Sequence, residues 1–223
     1  DKMQFNNKSN ILRIISGSLI FIFLVSCSGY VQKQDQKGVI SSDLLVGIYK
    51  PDLVYEGHTL VLDSADPKKP IIVEIDMKGK IVWYYVIPKP LLVGCDISKG
   101  PDIEWIPDSN NILFILPQKG IYEINRQKQI VWCYENKKAS HDADRLPNGN
   151  TLFTCGWDKR SDAQVIEIDM KGKTVWKWFA VNCLENEVRP RRYNMERGGF
   201  FHANSAMRLK NGNTLISLKG YDM

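Results

Sequence analysis

The hydrophobic pattern of the chain repeats as a strand, a polar turn and a second strand that carries tryptophan. Each copy opens on a glutamate, and the glutamates are 49 and 44 residues apart. Two copies have Met-Lys-Gly in the turn, where glycine supplies a positive φ. The middle copy has Arg-Gln-Lys, so we expect a degraded turn there. The copies are EIDMKGKIVWYY (74–85), EINRQKQIVWCY (123–134) and EIDMKGKTVWKW (167–178), and we expect Trp83, Trp132 and Trp176 in the core.

A second predicted hairpin alternates with the first. Asn148-Gly149 and Asn211-Gly212 are strong two-residue turn signals, and Asn110-Asn111 is a weaker one. The stretch GHTLVLDS (57–64) predicts the outgoing strand of the first unit. The copies of this hairpin are IEWIPDSNNILFIL (103–116), DADRLPNGNTLFTC (142–155) and NSAMRLKNGNTLIS (204–217).

The two hairpins together give about four strands in each period of about 45 residues, which is the size of a β-propeller blade. A β-sandwich has turns as frequent but lacks this long-period identity. We therefore predict an all-β chain, with residues 43–223 forming a β-propeller of about four four-stranded antiparallel blades. The last unit stops at Met223 after one hairpin, so we expect the propeller to be incomplete and to continue downstream.

The N-terminal pattern is different and predicts a targeting segment. Lys8 and Arg13 precede a 12-residue apolar run at 14–25, which is too short for a stable membrane span. The run ends in Leu-Val-Ser before Cys27 and resembles the bacterial lipobox, which implies cleavage before Cys27 and its lipidation. We expect a signal peptide over 1–26, a polar tether over 27–42, and a lipid-anchored protein on the extracytoplasmic side of the cell envelope. An ordinary buried helix is the alternative.

Composition narrows the function classes. Apolar residues make up 43% of the 223 residues and charged ones 25%, which is typical of a globular protein. Without the first 26 residues the chain has 27 basic and 24 acidic residues, a net charge too small to indicate nucleic-acid binding. We expect no cofactor and no metal site. An exported protein can form disulfides, so the remaining cysteines either adopt one of three complete pairings or stay buried thiols: Cys95, Cys133, Cys155 and Cys183.

Candidate chemistry lies directly ahead of the Asn-Gly hairpins. By alignment on that turn, His141 and Asn204 are equivalent, and His202 lies two residues before Asn204. Residues two apart in a strand share a face, so His202 and Asn204 can point at one ligand. A histidine can serve as nucleophile or acid/base near neutral pH.

Other polar residues near these hairpins have competing explanations. Asp142 and Asp144 either orient His141 or cap the turn, and Asp102 is interpreted as a structural substitute in the preceding unit. His58 is interpreted as a hydrogen-bonded structural residue.

The histidine-plus-hairpin stretches HDADRLPNGNTL and FFHANSAMRLKNGNTLISLKG resemble the bacterial arylsulfotransferase family. The resemblance implies a periplasmic propeller enzyme that moves a sulfuryl group from a phenolic sulfate ester to another phenol through a histidine intermediate. It implies that His141 and His202 are catalytic-site histidines and that Asn204 binds sulfate oxygens. Lys219 stands where the family has arginine, and a lysine lacks the planar fork of donors. The family's sulfated histidine lies in a later blade, which we do not find here.

Two further features bear on substrates and rivals. Arg191, in the basic stretch RPRRY, is either a sulfate clamp or part of a solvated loop, and Trp157 is a candidate for stacking on an aryl group. The expected partners are an aryl sulfate donor, a phenolic acceptor, the membrane through Cys27, and a second copy of the chain if it is a homodimer. The rival hypotheses are a non-catalytic propeller scaffold or binding lipoprotein and, more weakly, a quinone-dependent dehydrogenase.

Overall fold

A computed structural model describes residues 46–156, 159–184 and 200–221. The described chain is all-β apart from short helical turns, and its strands form four antiparallel sheets in chain order. The first sheet contains β1 (Thr59–Asp63), β2 (Ile71–Ile75) and β3 (Ile81–Val86), and the second contains β4 (Ile103–Ile106), β5 (Asn111–Leu116), β6 (Gly120–Ile124) and β7 (Ile130–Glu135). The third contains β8 (Ala143–Arg145), β9 (Thr151–Thr154), β10 (Val165–Ile168) and β11 (Thr174–Trp178), and the fourth contains β12 (Ala203–Arg208) and β13 (Thr214–Leu218).

The predicted strand pairs are confirmed. Each glutamate-to-tryptophan segment forms an antiparallel pair in which the two residues face each other, as Glu74 faces Trp83 and Glu123 faces Trp132. The stretch 57–64 supplies β1, which pairs with β2. The two central sheets have the expected four strands, whereas the described parts of the first and fourth have three and two.

The turns differ from two of the expectations. Lys128 takes a φ of 67° at the position where Gly79 has 84°, so the middle copy keeps the turn without glycine. The bond from Lys128 N to Asn125 O, at 2.9 Å, matches the bond from Gly79 N to Asp76 O, at 3.0 Å. The Asn-Gly hairpin of the third sheet closes through a bond from Leu146 N to Asn150 O, so its loop has three residues rather than two.

Short helical turns connect the sheets. None of the helices in the described residues is long and apolar enough to cross a membrane. The predicted signal peptide, tether and Cys27 lie outside the described residues. The helical turns are 3₁₀ at Pro51–Leu53, Ile97–Lys99 and Lys219–Tyr221, and α at α1 (Lys89–Leu92) and α2 (Val181–Leu184).

The core lies between neighbouring sheets. Side chains of the first and second sheets form one cluster that includes Ile72, Tyr85 and Phe114. The second and third sheets share another cluster, which includes Ile121 and Phe153. Alternating apolar residues on each strand therefore meet the next sheet along the chain.

The cysteines do not form a predicted pairing. Cys95 and Cys183 are free thiols, and each of the three complete pairings would use both of them. Cys155 is fully buried in the core, as the alternative interpretation expected.

A recurring group of charged and aromatic residues joins successive sheets. At the second junction, between the second and third sheets, Arg145 Nη2 donates to Glu123 Oε2 at 2.6 Å. The guanidinium lies 4.4 Å from the centre of the Trp132 ring, and Trp132 Nε1 donates to Met170 O at 2.9 Å. Asn111 Nδ2 donates to the other oxygen of Glu123, Oε1, at 2.6 Å. The carboxylate is thus bound by both sheets.

The third junction repeats this arrangement. Arg208 Nη2 donates to Glu167 Oε2 at 2.8 Å and lies 5.0 Å from the Trp176 ring centre. Asn150 Nδ2 donates to Glu167 Oε1 at 2.7 Å. Of the three predicted core tryptophans, Trp132 is buried at 7% exposure, while Trp83 and Trp176 are half-buried beneath guanidinium groups.

Candidate functional site

Two predicted histidines from neighbouring sheets meet in the structure. His141 Nε2 lies 3.1 Å from His202 Nε2, and the ring centres are 5.0 Å apart. His141 lies two residues before β8 of the third sheet, and His202 directly precedes β12 of the fourth. Their 61-residue separation in sequence is bridged by the packing of β12 against β8 and β9.

The hydrogen bonds of His141 fix the roles of its nitrogens. His141 Nδ1 lies 2.8 Å from Lys99 O, and a carbonyl oxygen can only accept, so Nδ1 carries a hydrogen. In the neutral ring Nε2 then has the lone pair and accepts a hydrogen bond from Nε2–H of His202. The lone pair of a neutral His202 is consequently on Nδ1.

The backbone around His141 is held by the strand beside it. Thr154 Oγ1 lies 2.8 Å from Ser140 Oγ and accepts from the backbone N of His141 at 3.3 Å. A Cβ at Gly156 would come within 3.2 Å of Cδ2 of His141. Glycine at this position therefore leaves the room that the imidazole occupies.

His202 has a left-handed backbone, with a φ of 53°, and its residue is only 4% exposed. The register of β12 and β13 shifts between Ala203 and Ser205. His202 precedes the strand and the strand is irregular at its start, so the same-face argument for His202 and Asn204 does not apply. Few non-glycine residues adopt this φ, and histidine is among those enriched there.

Burial lowers the pKa of His141, and the neighbouring His202 lowers it further. Hydrogen bonds to the backbone of Lys99 and Gly100 oppose this shift, while the positive charge of Lys219 adds to it. The predicted residue Lys219 therefore acts electrostatically on the histidine pair. Its backbone N donates to His202 O at 3.0 Å, which ties the two residues together.

The remaining predicted residues are not brought into this pair. Asn204 is half-buried in β12, and Arg191 and Trp157 lie outside the described residues. His58 is in the first sheet, where Nδ1 lies 2.7 Å from Glu74 Oε1, in agreement with its structural interpretation. The assignment of His141, His202, Asn204, Lys219 and Arg191 to a catalytic or binding site stays a prediction.

A group of carboxyls beside the pair was missed in the sequence. Oxygens of Asp102, Asp142 and Asp144 lie within 4.8 Å of one another. Burial raises the pKa of Asp142 and Asp144 to about 7, and repulsion from neighbouring carboxylates adds to both shifts. Asp142 Oδ2 accepts from Ala206 N at 2.6 Å, so this carboxyl joins the third sheet to the fourth, whereas the ring nitrogens of His141 contact Lys99 O and His202 Nε2. Repeat alignment could have found the group, because Asp102 and Asp142 both precede the first strand of their sheets.

Comparison with known proteins identifies the family of the chain. One solved structure that the chain matches is a crystal structure of a protein of unknown function from Bacteroides caccae, at 19% identity and a TM-score of 0.47. The match covers 75% of this chain and 53% of that one, so the chain spans about half the length of that protein. The search of curated proteins found no match. The arylsulfotransferase family model matches residues 48–223, and the chain therefore belongs to the arylsulfotransferase family.

Proposed function

We propose that the chain is part of a β-propeller sulfotransferase that moves a sulfuryl group from a phenolic sulfate ester to another phenol. In this proposal the chain supplies part of the sulfate-binding site. The observation that carries it is the contact between His141 and His202, at 3.1 Å, in a member of this family. The sheets support the propeller arrangement because each is an antiparallel meander packed on the next in chain order.

The histidine pair suits an anionic group shared between two rings. When sulfate oxygens enter, each Nε2 that carries a hydrogen can donate to them in place of the histidine–histidine bond. Burial and the neighbouring His202 lower the pKa of His141, which favours its neutral ring in the absence of an anion. A sulfate placed there favours the protonated ring, since an opposite charge raises a histidine pKa.

The proposed transfer consists of two displacements at sulfur. A histidine nitrogen forms an N–S bond as the bond from sulfur to the donor phenol oxygen breaks, and the departing phenolate takes a proton. The acceptor phenol then loses its proton as its oxygen bonds to sulfur and the N–S bond breaks. Charge on the peripheral oxygens is stabilised by donors such as Lys219, by analogy with phosphoryl transfer.

The direct test is transfer from 4-nitrophenyl sulfate to phenol by the full-length protein. We expect His141→Gln and His202→Asn each to lower kcat/KM by about 10²-fold or more, the range for a lost acid–base group. Asparagine is chosen at 202 because it tolerates the left-handed backbone. Lys171→Ala, on an exposed turn, is the matched control and should keep full activity. If both histidine variants transfer sulfuryl groups as fast as the wild type, the assignment of His141 and His202 to the site is wrong.

Inorganic sulfate gives a test independent of turnover. Because sulfate binding is coupled to histidine protonation, we expect sulfate to raise the Tm more at pH 6 than at pH 8. His141→Gln should abolish this pH dependence. An equal rise in Tm at both pH values would contradict the proposed anion site. It would favour the alternative of a non-catalytic scaffold with the same fold.

The cellular location is a separate proposal. The lipobox-like sequence ending at Cys27 supports lipid anchoring on the extracytoplasmic side of the envelope. We expect the wild type to incorporate labelled palmitate and Cys27→Ser to lose it. Equal labelling of the two proteins would contradict Cys27 as the anchor.

A further inference from the structure

The first junction, between the first and second sheets, contains an open cavity of about 620 Å³. Its carboxylate is Glu74, the repeat equivalent of Glu123 and Glu167. At the other two junctions, the arginine over the tryptophan ring beside this carboxylate lies in the first strand of the next sheet. The first junction departs from this arrangement.

A histidine replaces an asparagine beside the carboxylate. Strand pairing makes His58 equivalent to Asn111 and Asn150, each of which donates to its own glutamate. His58 meets the same need through Nδ1, which lies 2.7 Å from Glu74 Oε1. The imidazole additionally has Nε2, which carries the lone pair of the neutral ring and accepts hydrogen bonds.

The guanidinium at this junction comes from a different part of the repeat. Arg126, on the turn that follows β6, donates to Glu74 Oε2 and lies 5.4 Å from the Trp83 ring centre. Arg126 Nε also donates to Asn110 O at 2.9 Å. This turn position corresponds to Met170 in the third sheet. The strand position of Arg145 is occupied by Trp105 instead.

Trp105 forms an exposed and oriented wall of the cavity. Its residue is 49% exposed, and its Nε1 donates to Asn110 Oδ1 at 2.9 Å. Asn110 Oδ1 also accepts from Arg126 Nη2 at 3.1 Å. The indole orientation is thus fixed by the same network that binds Glu74. An exposed indole face attracts the polarised C–H groups of a ring laid against it.

We propose that this cavity binds a neutral saccharide, with one pyranose ring stacked on Trp105. The hydroxyls of such a ring both donate and accept, which matches the mixture of carboxylate, guanidinium, amide and imidazole groups beside the indole. Glu74 and Arg126 carry opposite charges and are paired with each other, which favours a neutral ligand over an anion. The proposal uses none of the residues of the histidine pair and does not depend on sulfuryl transfer.

A glycan array probed with the full chain tests the class of ligand. We expect binding to neutral glycans, followed by saturable titration with the methyl glycoside of the bound sugar at a Kd of about 1 mM, a usual strength for a few contacts. Trp105→Ala should weaken the titration at least about tenfold, because it removes the stacking face. His58→Asn keeps the donor to Glu74 and removes the second nitrogen, so we expect about three- to tenfold weaker binding.

The matched control is Leu215→Ala, another exposed apolar residue, which should leave binding unchanged. Thermal unfolding of each variant separates loss of binding from loss of fold. Absence of Trp105-dependent binding to every neutral glycan overturns the proposal. Preferential binding of acidic glycans, or saturable binding of phenol and not of sugars, overturns it as well.

Discussion

The first and second junctions bind the same carboxylate with different residues. At the second, the arginine comes from a strand and is only 8% exposed at its side chain, and Glu123 is 9% exposed. At the first, the arginine comes from a turn, its side chain is 23% exposed, and an exposed tryptophan stands in the strand position. At both junctions a guanidinium contacts the glutamate, but the arginine that supplies it stands at a different position of the repeat.

The two junctions also differ in how completely they exclude water. Burial by itself would raise the pKa of Glu74, but hydrogen bonds from His58 and Arg126 outweigh this effect and hold the pKa below its usual value. At the second junction Arg145 additionally donates to Thr151 Oγ1 at 2.5 Å and to Gly149 O at 3.2 Å. The second junction is the more buried of the two, with 8% exposure of the Arg145 side chain against 23% for Arg126, and the first contains the open cavity.

The largest expected difference follows from removing each arginine. Arg145→Ala leaves the buried Glu123 without its cation, and we expect a loss of about 3–5 kcal/mol in the free energy of unfolding. Arg126→Ala should cost less, about 1–2 kcal/mol, because Glu74 keeps its hydrogen bond with His58 and is reached by water. Urea unfolding of both variants measures the difference.

Lys171→Ala is a suitable surface control for this pair and should change stability by less than about 0.5 kcal/mol. Arg145→Lys separates charge from shape, since lysine keeps the charge but not the planar stacking over Trp132. Equal losses for Arg145→Ala and Arg126→Ala would remove the proposed distinction between the junctions.

A smaller effect should distinguish the second junction by its pH dependence. Asp102 precedes β4 and Asp144 lies in β8, so the cluster of three aspartates spans the second and third sheets. The folded pKa of Asp144, about 7, is above its ordinary value of 3.8. The stability that protonated Asp144 contributes is thus fully present below pH 3.8 and is lost as the pH rises through about 7.

We therefore expect Asp144→Asn to stabilise the protein at pH 8 by about 1 kcal/mol, or about 2–4 °C in Tm, with little effect at pH 4. This value is smaller than the free energy that corresponds to the whole pKa shift, because Asp144 is only half-buried and water screens its charge. Thermal unfolding from pH 4 to pH 8 measures the effect. If the Tm of the wild type rises from pH 4 to pH 8 and equals that of Asp144→Asn at each pH, Asp144 is ionised throughout this range.

The smallest expected effect belongs to His58→Asn at the first junction. Asparagine donates to glutamate at both equivalent positions, so the change should alter stability by less than about 0.5 kcal/mol. The same urea measurement applies. A loss above about 1 kcal/mol would mean that the imidazole packs into the first junction more closely than asparagine can.

Much of the fold could be predicted from the sequence because the turns and tryptophans recur in register. Glu74 and Trp83, nine residues apart, indicated a strand pair that the structure contains. The loop lengths and the turn at Lys128 were predicted less well, since a non-glycine residue accepts a positive φ when surrounding hydrogen bonds compensate. The junction arginines were missed because their partners lie in another sheet.

The histidines of the candidate site were predictable from their position before two hairpins, but their contact was not. His141 and His202 meet because one sheet packs on the next and because His202 turns into a left-handed conformation. Neither fact is encoded in residue spacing. The same holds for the cluster of three aspartates. Asp102 and Asp144 are 42 residues apart in the sequence, and only the packing of the sheets brings them together.

The exchanged arginine constrains how the first junction can change. Replacing Trp105 with arginine would bring a second guanidinium to Glu74, and replacing Arg126 with methionine would leave that carboxylate with none. Only the double substitution reproduces the arrangement of Arg145 and Met170. We therefore expect residues 105 and 126 to form an epistatic pair, in which each single substitution is less favourable than the double one.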